Sequence, residues 1–181
     1  MTSLLPITAK VAELRRTFDQ ARAVPSSSGG EIQTESLLAI RVSQDAYAIK
    51  VNEISGLATD RKIVTFPSPI PELLGVAGIR GALVPVYSLM GLLGYGAETS
   101  QVRWLVLCGT EEPFALAFSD FEGYLRLPQT QLHAAEQKDI TRTHVTHVAR
   151  ATDMVRAVMS IPLLRETIQE RCRKSTVPKE R

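Results

Sequence analysis

Hydrophobic and polar residues follow two different periods along this chain. In residues 6–22 the apolar side chains recur every three or four positions, at Ile7, Val11, Leu14 and Phe18. This period predicts an amphipathic helix, which would either pack on the rest of the protein or dock on a partner. Residues 25–30, Pro-Ser-Ser-Ser-Gly-Gly, have the composition of a flexible linker.

From residue 36 onward the pattern changes to short apolar segments, punctuated by glycine or proline at intervals of roughly 8–12 residues. The strands predicted in the first half are 37–42, 46–51, a stretch near 63–66, 76–79 and 82–86. The strands predicted in the second half are 102–108, 114–118, 123–127, 145–149 and 154–159. This pattern is typical of small barrels and sandwiches, so we expect an all-β protein with short helices.

The connections between these strands carry their own signals. Residues 67–71 have proline at alternate positions, which predicts an extended connection that cannot donate ladder hydrogen bonds. Residues 87–93 predict a short helix ended by glycines, and the polar residues 129–143 predict a loop. Ser160-Ile-Pro162 predicts the start of a last helix, because proline is tolerated in a first helical turn.

Composition and charge narrow the possible functions. The chain has 181 residues, of which 44% are hydrophobic and 22% charged, and this is the composition of a folded globular protein. The net charge is +2, but the basic residues concentrate in 1–30 and 165–181 and leave the body acidic. A nucleic-acid-binding protein would concentrate positive charge on a folded face, so we expect no nucleic-acid partner.

Cysteine usage and hydropathy indicate the compartment. The chain has two cysteines, Cys108 in an apolar run and Cys172 in a charged segment, which fits a reducing cytoplasm better than a disulfide framework. No apolar stretch reaches the roughly 18 residues that a membrane span needs, and the N-terminus lacks the order of a signal peptide. We therefore expect a cytoplasmic protein without membrane insertion.

Candidate catalytic and metal-binding residues are few. His144 and His147 are three positions apart in a segment predicted to enter a strand, where two imidazoles with no third ligand nearby do not predict a metal site. His133 lies alone in a polar loop. Ser88, Ser119 and Ser160 lack the Gly-x-Ser-x-Gly motif, and the glycines at 91, 94 and 96 lack the Gly-Lys-Ser/Thr of a phosphate loop. We expect no cofactor, no metal and no catalysis. An enzyme hypothesis would depend only on His144, His147 and Ser119.

One segment stands out, Leu-Gly-Val-Ala-Gly-Ile-Arg-Gly-Ala-Leu-Val-Pro-Val at 74–86. A single arginine, Arg80, lies between two apolar runs and is followed by Gly81, which suits a tight turn with positive φ. The turn would hold a planar fork of N–H donors at an exposed tip. A solvated turn arginine without a binding role is the alternative interpretation.

This segment resembles the signature of the CheW family of chemotaxis coupling proteins. Further similarity lies in Tyr47-Ala-Ile49, in the proline-bearing connection 67–71, in 114–118 with 124–127, and in 155–164, so that it spans about residues 36–165 in order. The resemblance implies two packed, five-stranded SH3-like barrels within 31–165, the first at about 36–90 and the second at about 100–160. Residues 1–30 and 161–181 would then be an N-terminal helix with its linker and a C-terminal helix with a basic tail.

The resemblance also implies partners and contact residues. It predicts a non-enzymatic adaptor that couples the cytoplasmic tip of a methyl-accepting chemoreceptor to the regulatory domain of a CheA-type histidine kinase, in chemotaxis or surface motility. The residues implied for the receptor-facing groove are Arg80, Gly81, Ile54 and Leu57. The residues implied for the kinase-facing edge are Lys62, Val64 and Gly75.

The sequence departs from the family pattern at Gly56, Gly78, Ser88 and Ser119. At the position of Gly56 the family ordinarily has a glutamate. The loss of a charged partner at the binding face would favour an alternative function, an adaptor that binds only receptor or only kinase and insulates or titrates it.

Overall fold

The structure is a computed structural model that describes residues 33–96, 101–135, 144–151 and 154–176. The chain divides into two units, Met1–Gln33 and Thr34–Arg181, and all the elements described below belong to the second. The predicted N-terminal helix and linker lie outside the described residues. Within the described ranges, no helix is long and apolar enough to cross a membrane.

Short strands dominate the described part of the chain. The strands are β1 (Thr34–Val42), β2 (Asp45–Lys50), β3 (Gly56–Thr59), β4 (Ile63–Val64), β5 (Leu73–Ile79), β6 (Ala82–Ser88), β7 (Trp104–Cys108), β8 (Phe114–Phe118), β9 (Asp120–Pro128), β10 (Leu132–Ala134), β11 (Val145–Ala151) and β12 (Met154–Met159). The α-helices are α1 (Leu89–Leu92) and α2 (Ile161–Thr176). Single 3-10 turns lie at Val51–Glu53 and Gln129–Gln131.

In the described residues these strands form two six-stranded sheets. Sheet A has the order β10-β11-β12-β2-β1-β9 and sheet B the order β3-β7-β8-β6-β5-β4. Each sheet therefore contains strands from both halves of the chain. Parallel pairs, β12 with β2 and β6 with β8, join the halves. β1 and β2 of the first half thus pair with β9 and β12 of the second half. The predicted division into barrels at 36–90 and 100–160 stays a prediction.

Three buried clusters explain how these sheets pack. The largest contains residues from both sheets and from α2, such as Ile40, Phe118 and Leu164. A second cluster contains residues from sheet B alone, including Leu105, and a third contains residues from sheet A alone, including Val158. Each sheet thus buries side chains on both faces, which fits a sheet that curves around its own small core while its other face packs on a neighbour.

An ion triad crosses sheet A. Glu122 on β9 lies 2.7 Å from Arg41 Nη2 on β1 and 2.6 Å from Arg156 Nη1 on β12. The side chain of Arg156 is only 3% exposed, so its charge is compensated inside the fold rather than by solvent. Burial alone would raise the pKa of Glu122, but hydrogen bonds and charge from Arg156 and Arg41 hold that pKa below its ordinary value.

The predicted all-β class with short helices is confirmed, and two strands are new. β3 lies in a segment for which no strand is predicted, and β10 lies inside the segment predicted as a loop. The loop prediction for 129–143 is therefore wrong at its start, because residues 129–131 form a 3-10 turn and β10 pairs with β11. Residues 136–143 lie outside the described residues.

Candidate functional site

The turn between β5 and β6 places Arg80 and Gly81 at the end of a two-residue hairpin. Ile79 pairs with Ala82, and the two central residues have φ of 51° and 82°. Positive φ at both central positions is the pattern of a type I′ turn, which favours asparagine, aspartate or glycine. An L-residue with a bulky side chain in this region costs roughly 1–2 kcal/mol. The sequence predicts positive φ at Gly81, whereas the structure shows that Arg80 carries it as well.

The side chain of Arg80 folds back across β3 and does not point away from the tip. A Cβ added at Gly56 would lie 3.1 Å from Arg80 Nη2 and 3.5 Å from Leu107 Cδ1. The guanidinium therefore lies directly on the backbone of Gly56. Arg80 is an exposed residue, and it has no hydrogen-bond or ion-pair partner in the part of the chain that the structure describes.

Ile54 and Leu57, predicted to line the same groove, flank Gly56 along the chain. Both are half-buried, and both pack against the central cluster, so only part of each side chain faces solvent. The main chain at this point is fixed by a bond in which the Ser55 N–H donates to the Leu107 carbonyl at 2.7 Å. The structure thus brings Arg80 against Gly56, in the same segment as Ile54 and Leu57. The binding role of these residues stays a prediction.

Glu53 is the residue of this region that sequence reasoning missed. Its Oε2 accepts a hydrogen bond of 2.8 Å from the N–H of Ile161. Ile161 is the first residue of α2. A carboxylate at a helix N-terminus satisfies an orphan donor and interacts favourably with the helix dipole. Glu53 therefore anchors the segment that leads into Ile54 to the start of α2. No local signal marks this role, since Glu53 and Ile161 are 108 positions apart.

Two of the three residues predicted to face the kinase, Lys62 and Val64, lie at the outer edge of sheet B. Val64 is 56% exposed on β4, the last strand in the order, and Lys62 is exposed just before that strand. Gly75, by contrast, is buried in β5 with φ of 145°. A Cβ there would overlap the Val64 carbonyl oxygen. Gly75 therefore lets β4 approach β5 and supports the edge without offering a contact of its own.

Exposed apolar side chains extend this edge. Leu83 on β6 is 75% exposed and Phe66, two residues beyond β4, is 47% exposed. Leu83 pairs with Gly78 on β5, and Val64 pairs with Val76 on the same strand. The edge therefore offers apolar side chains from β4, β6 and the chain just beyond β4, a composition that is common where proteins bind one another.

His144 is buried and hydrogen-bonded within the fold. His144 is 6% exposed, and its Nε2 lies 2.8 Å from Thr167 Oγ1 on α2. Because Thr167 Oγ1 donates to the Leu163 carbonyl, it accepts a hydrogen bond from the Nε2–H of His144. Burial, assisted by the charge of Arg171, lowers the pKa of His144. Among the described residues no group of three His, Cys, Asp or Glu side chains could hold a metal ion.

The three serines likewise have local partners. Ser88 Oγ accepts the N–H of Gly91 and caps α1, and Ser160 Oγ accepts the N–H of Leu163 in the first turn of α2. Ser119 donates to the neighbouring Asp120 at 2.9 Å. Within the described ranges, no hydrogen bond joins the hydroxyl of Ser119 or Ser160 to an imidazole, so neither has the geometry of an activated serine nucleophile there.

The buried thiol of Cys108 has a structural environment as well. Burial raises the pKa of Cys108 to about 12, so its thiol stays protonated at neutral pH. Burial, together with the nearby Cys172, also raises the pKa of Tyr87 to about 12. Cys172 Sγ lies 4.0 Å from the Tyr87 hydroxyl. Tyr87 and Cys172 therefore pack against each other between sheet B and α2.

The fold and these surfaces define a two-sheet β scaffold that exposes an arginine turn and an apolar sheet edge. The profile of the CheW-like domain family matches residues 36–166, and the chain belongs to that family. The family consists of non-enzymatic scaffold and adaptor proteins of chemotaxis.

Comparison with solved structures gives the same fold. The scaffolding protein TtCheW from Thermoanaerobacter tengcongensis superposes with a TM-score of 0.66 at 14% sequence identity, over 73% of this chain and 92% of that one. A comparison with curated protein sequences finds no significant match. At such low identity the structural likeness shows the fold alone, and the partners must be argued from this chain's own surfaces.

Proposed function

We propose that this protein couples the cytoplasmic tip of a methyl-accepting chemoreceptor to the regulatory domain of a CheA-type histidine kinase, in the cytoplasm. The observation that carries the proposal is the state of Arg80. Its backbone is strained, its guanidinium lies on Gly56, and its N–H donors have no acceptor among the described residues. Strained residues that persist in a fold are concentrated at binding and switching sites, which supports a binding role for this turn.

The edge of sheet B supports a second contact. β4 is a two-residue edge strand with exposed Val64, and Leu83 and Phe66 extend its apolar surface. A sheet edge of this kind can pack against the edge of a homologous barrel, such as the CheW-like regulatory domain of the kinase. Both surfaces include the β5–β6 hairpin, but the first also uses the start of β3 and the second uses β4 at the edge of the sheet.

The receptor contact is tested by titrating the purified protein with a soluble receptor fragment that contains the hairpin tip. Arg80→Ala is expected to weaken that binding by roughly tenfold, as for an arginine at the centre of an interface. Arg150→Ala is the matched control, since Arg150 is an exposed arginine on β11 of the other sheet. Equal binding by the parent and Arg80→Ala would remove the turn from the receptor contact.

The kinase contact is tested in the same way with the isolated regulatory domain of the kinase. Val64→Asp places a charge on the apolar edge and is expected to weaken binding by roughly tenfold or more. Val155→Asp is the control, because Val155 is 64% exposed on β12 of the other sheet. Similar losses in both variants would show that the edge of sheet B is not the binding surface.

A second candidate function is an adaptor that binds only one of these partners and insulates or titrates it. The observation in its favour is Gly56, which stands where the resemblance sets a glutamate. The two titrations separate the candidates, since coupling requires that both partners bind the parent protein. Binding of one partner, with none of the other at high micromolar concentration, would favour the second candidate.

A further inference from the structure

Gly56 and Arg80 come from distant parts of sheet B. β3, which begins at Gly56, is one end of the strand order, and β5, which leads into Arg80, is the strand next to the other end. The curvature of the sheet brings the two together, so that the Arg80 Nη2 and Cζ atoms lie 3.1 Å and 3.8 Å from the point where a Cβ of residue 56 would be. The nearer distance is already tight for a real Cβ contact.

A Cβ at position 56 would therefore force the guanidinium to shift from its place over the strand by at least a few tenths of an ångström. An arginine on an exposed turn ordinarily samples many rotamers, and ordering such a side chain on binding costs free energy. A guanidinium that already lies against a rigid strand loses less of this freedom. The backbone of Gly56 is rigid because β3 pairs with β7, where Gly56 faces Leu107.

We propose that Gly56 is a positioning residue for Arg80: its lack of a side chain forms a seat on which the guanidinium is held before the partner arrives. The inference rests on the proposed receptor contact of Arg80. It gives a structural reason for a glycine at this position, separate from any direct contact between Gly56 and the partner. The seated guanidinium presents its remaining donors to an oxygen acceptor on the receptor tip.

The test is a double-mutant cycle read by affinity for the receptor fragment. Gly56→Ala is expected to weaken binding by roughly three- to tenfold, because the new methyl group displaces the guanidinium. In the Arg80→Ala background the same substitution is expected to have no further effect. Arg150→Ala is again the control for Arg80→Ala, since Arg150 is an exposed arginine on β11 of the other sheet.

Two results of the cycle would overturn the proposal. One is parent-like receptor binding by Gly56→Ala. The other is an equal loss on adding Gly56→Ala to the parent and to Arg80→Ala, which would mean that residue 56 touches the partner itself. Thermal unfolding of each variant checks that the fold is kept, and affinity for the kinase regulatory domain is expected to stay unchanged.

A measurement without any partner separates this inference from the proposed function. The Nε–H signal of Arg80, followed by NMR relaxation, is expected to show restricted motion in the parent and free motion in Gly56→Ala. The exposed Arg150 supplies the reference for a freely moving side chain. If Arg80 moves as freely as Arg150 in the parent protein, the seat does not exist, whether or not a receptor fragment binds.

Discussion

Replacing Glu122 with glutamine is expected to lower the free energy of unfolding by about 2–3 kcal/mol. The substitution removes the negative charge that faces Arg156 at 2.6 Å and Arg41 at 2.7 Å. Breaking a fully buried ion pair costs roughly 3–5 kcal/mol, because the remaining charge stays in the interior. The side chain of Arg156 is 3% exposed, but that of Glu122 is 26% exposed, so water reaches one side of the pair. We therefore expect a smaller loss of about 2–3 kcal/mol.

The assay is urea or thermal unfolding of the parent and the variant. For a domain of this size, 1 kcal/mol corresponds to about 2–4 °C in Tm, so a fall of roughly 5–10 °C is expected. Asp60→Asn is the control, since Asp60 pairs with Arg103 at 3.6 Å and both side chains are about two-thirds exposed. An exposed pair of this kind is worth less than about 1 kcal/mol. Equal losses in the two variants would refute the reasoning.

The pH dependence of the effect has a definite sign. The pKa of Glu122 is lower in the folded protein than in the unfolded chain, so its contribution to stability is fully present above the unfolded value, about 4.3. That contribution is lost as the pH falls through the folded value. The difference in stability between parent and Glu122→Gln is therefore constant near pH 7 and shrinks below about pH 4. A difference that stays the same down to pH 3 would contradict the proposed ion triad.

Two further substitutions test how the candidate surfaces are supported. Glu53→Ala removes the acceptor of the Ile161 N–H and is expected to lower the free energy of unfolding, measured with urea, by about 1 kcal/mol. An unchanged free energy would mean that α2 is capped without Glu53. Gly75→Ala is expected to cost more than about 2 kcal/mol in the same assay, because its Cβ would overlap the Val64 carbonyl and its φ of 145° disfavours a side chain. Unchanged stability in Gly75→Ala would show that β4 can move away from β5.

The positions of most strands along the chain, and the arginine turn, could be predicted from sequence because both have local signals. Alternation and short apolar runs marked β1, β2, β5 and β6, and glycine after Arg80 marked the turn. The conformation of Arg80 had no such signal, since its side-chain type favours neither positive φ nor a type I′ turn. That backbone state is imposed by the register of β5 and β6 on either side of it.

The missed strands show where local patterns fail. β3 reads Gly-Leu-Ala-Thr and has a single large apolar residue, so neither period is visible in it. It is a strand because β7 offers a partner, with Gly56 opposite Leu107 and Thr59 opposite Trp104. Pairing across some fifty positions is a property of the fold and not of the segment, and the same holds for the exchange of strands between the two sheets.

Helix α2 connects the supports of both candidate surfaces. Its first residue donates to Glu53, which directly precedes Ile54 in the arginine-turn region. Near its other end, Arg171 forms an ion pair with Glu72, the residue just before β5. The backbone carbonyl of Glu72 also accepts the N–H of Ser88, the last residue of β6. One rigid helix of 16 residues therefore fixes both segments. If both surfaces bind partners as proposed, this shared anchor lets a small adaptor hold receptor and kinase in a constant relative geometry.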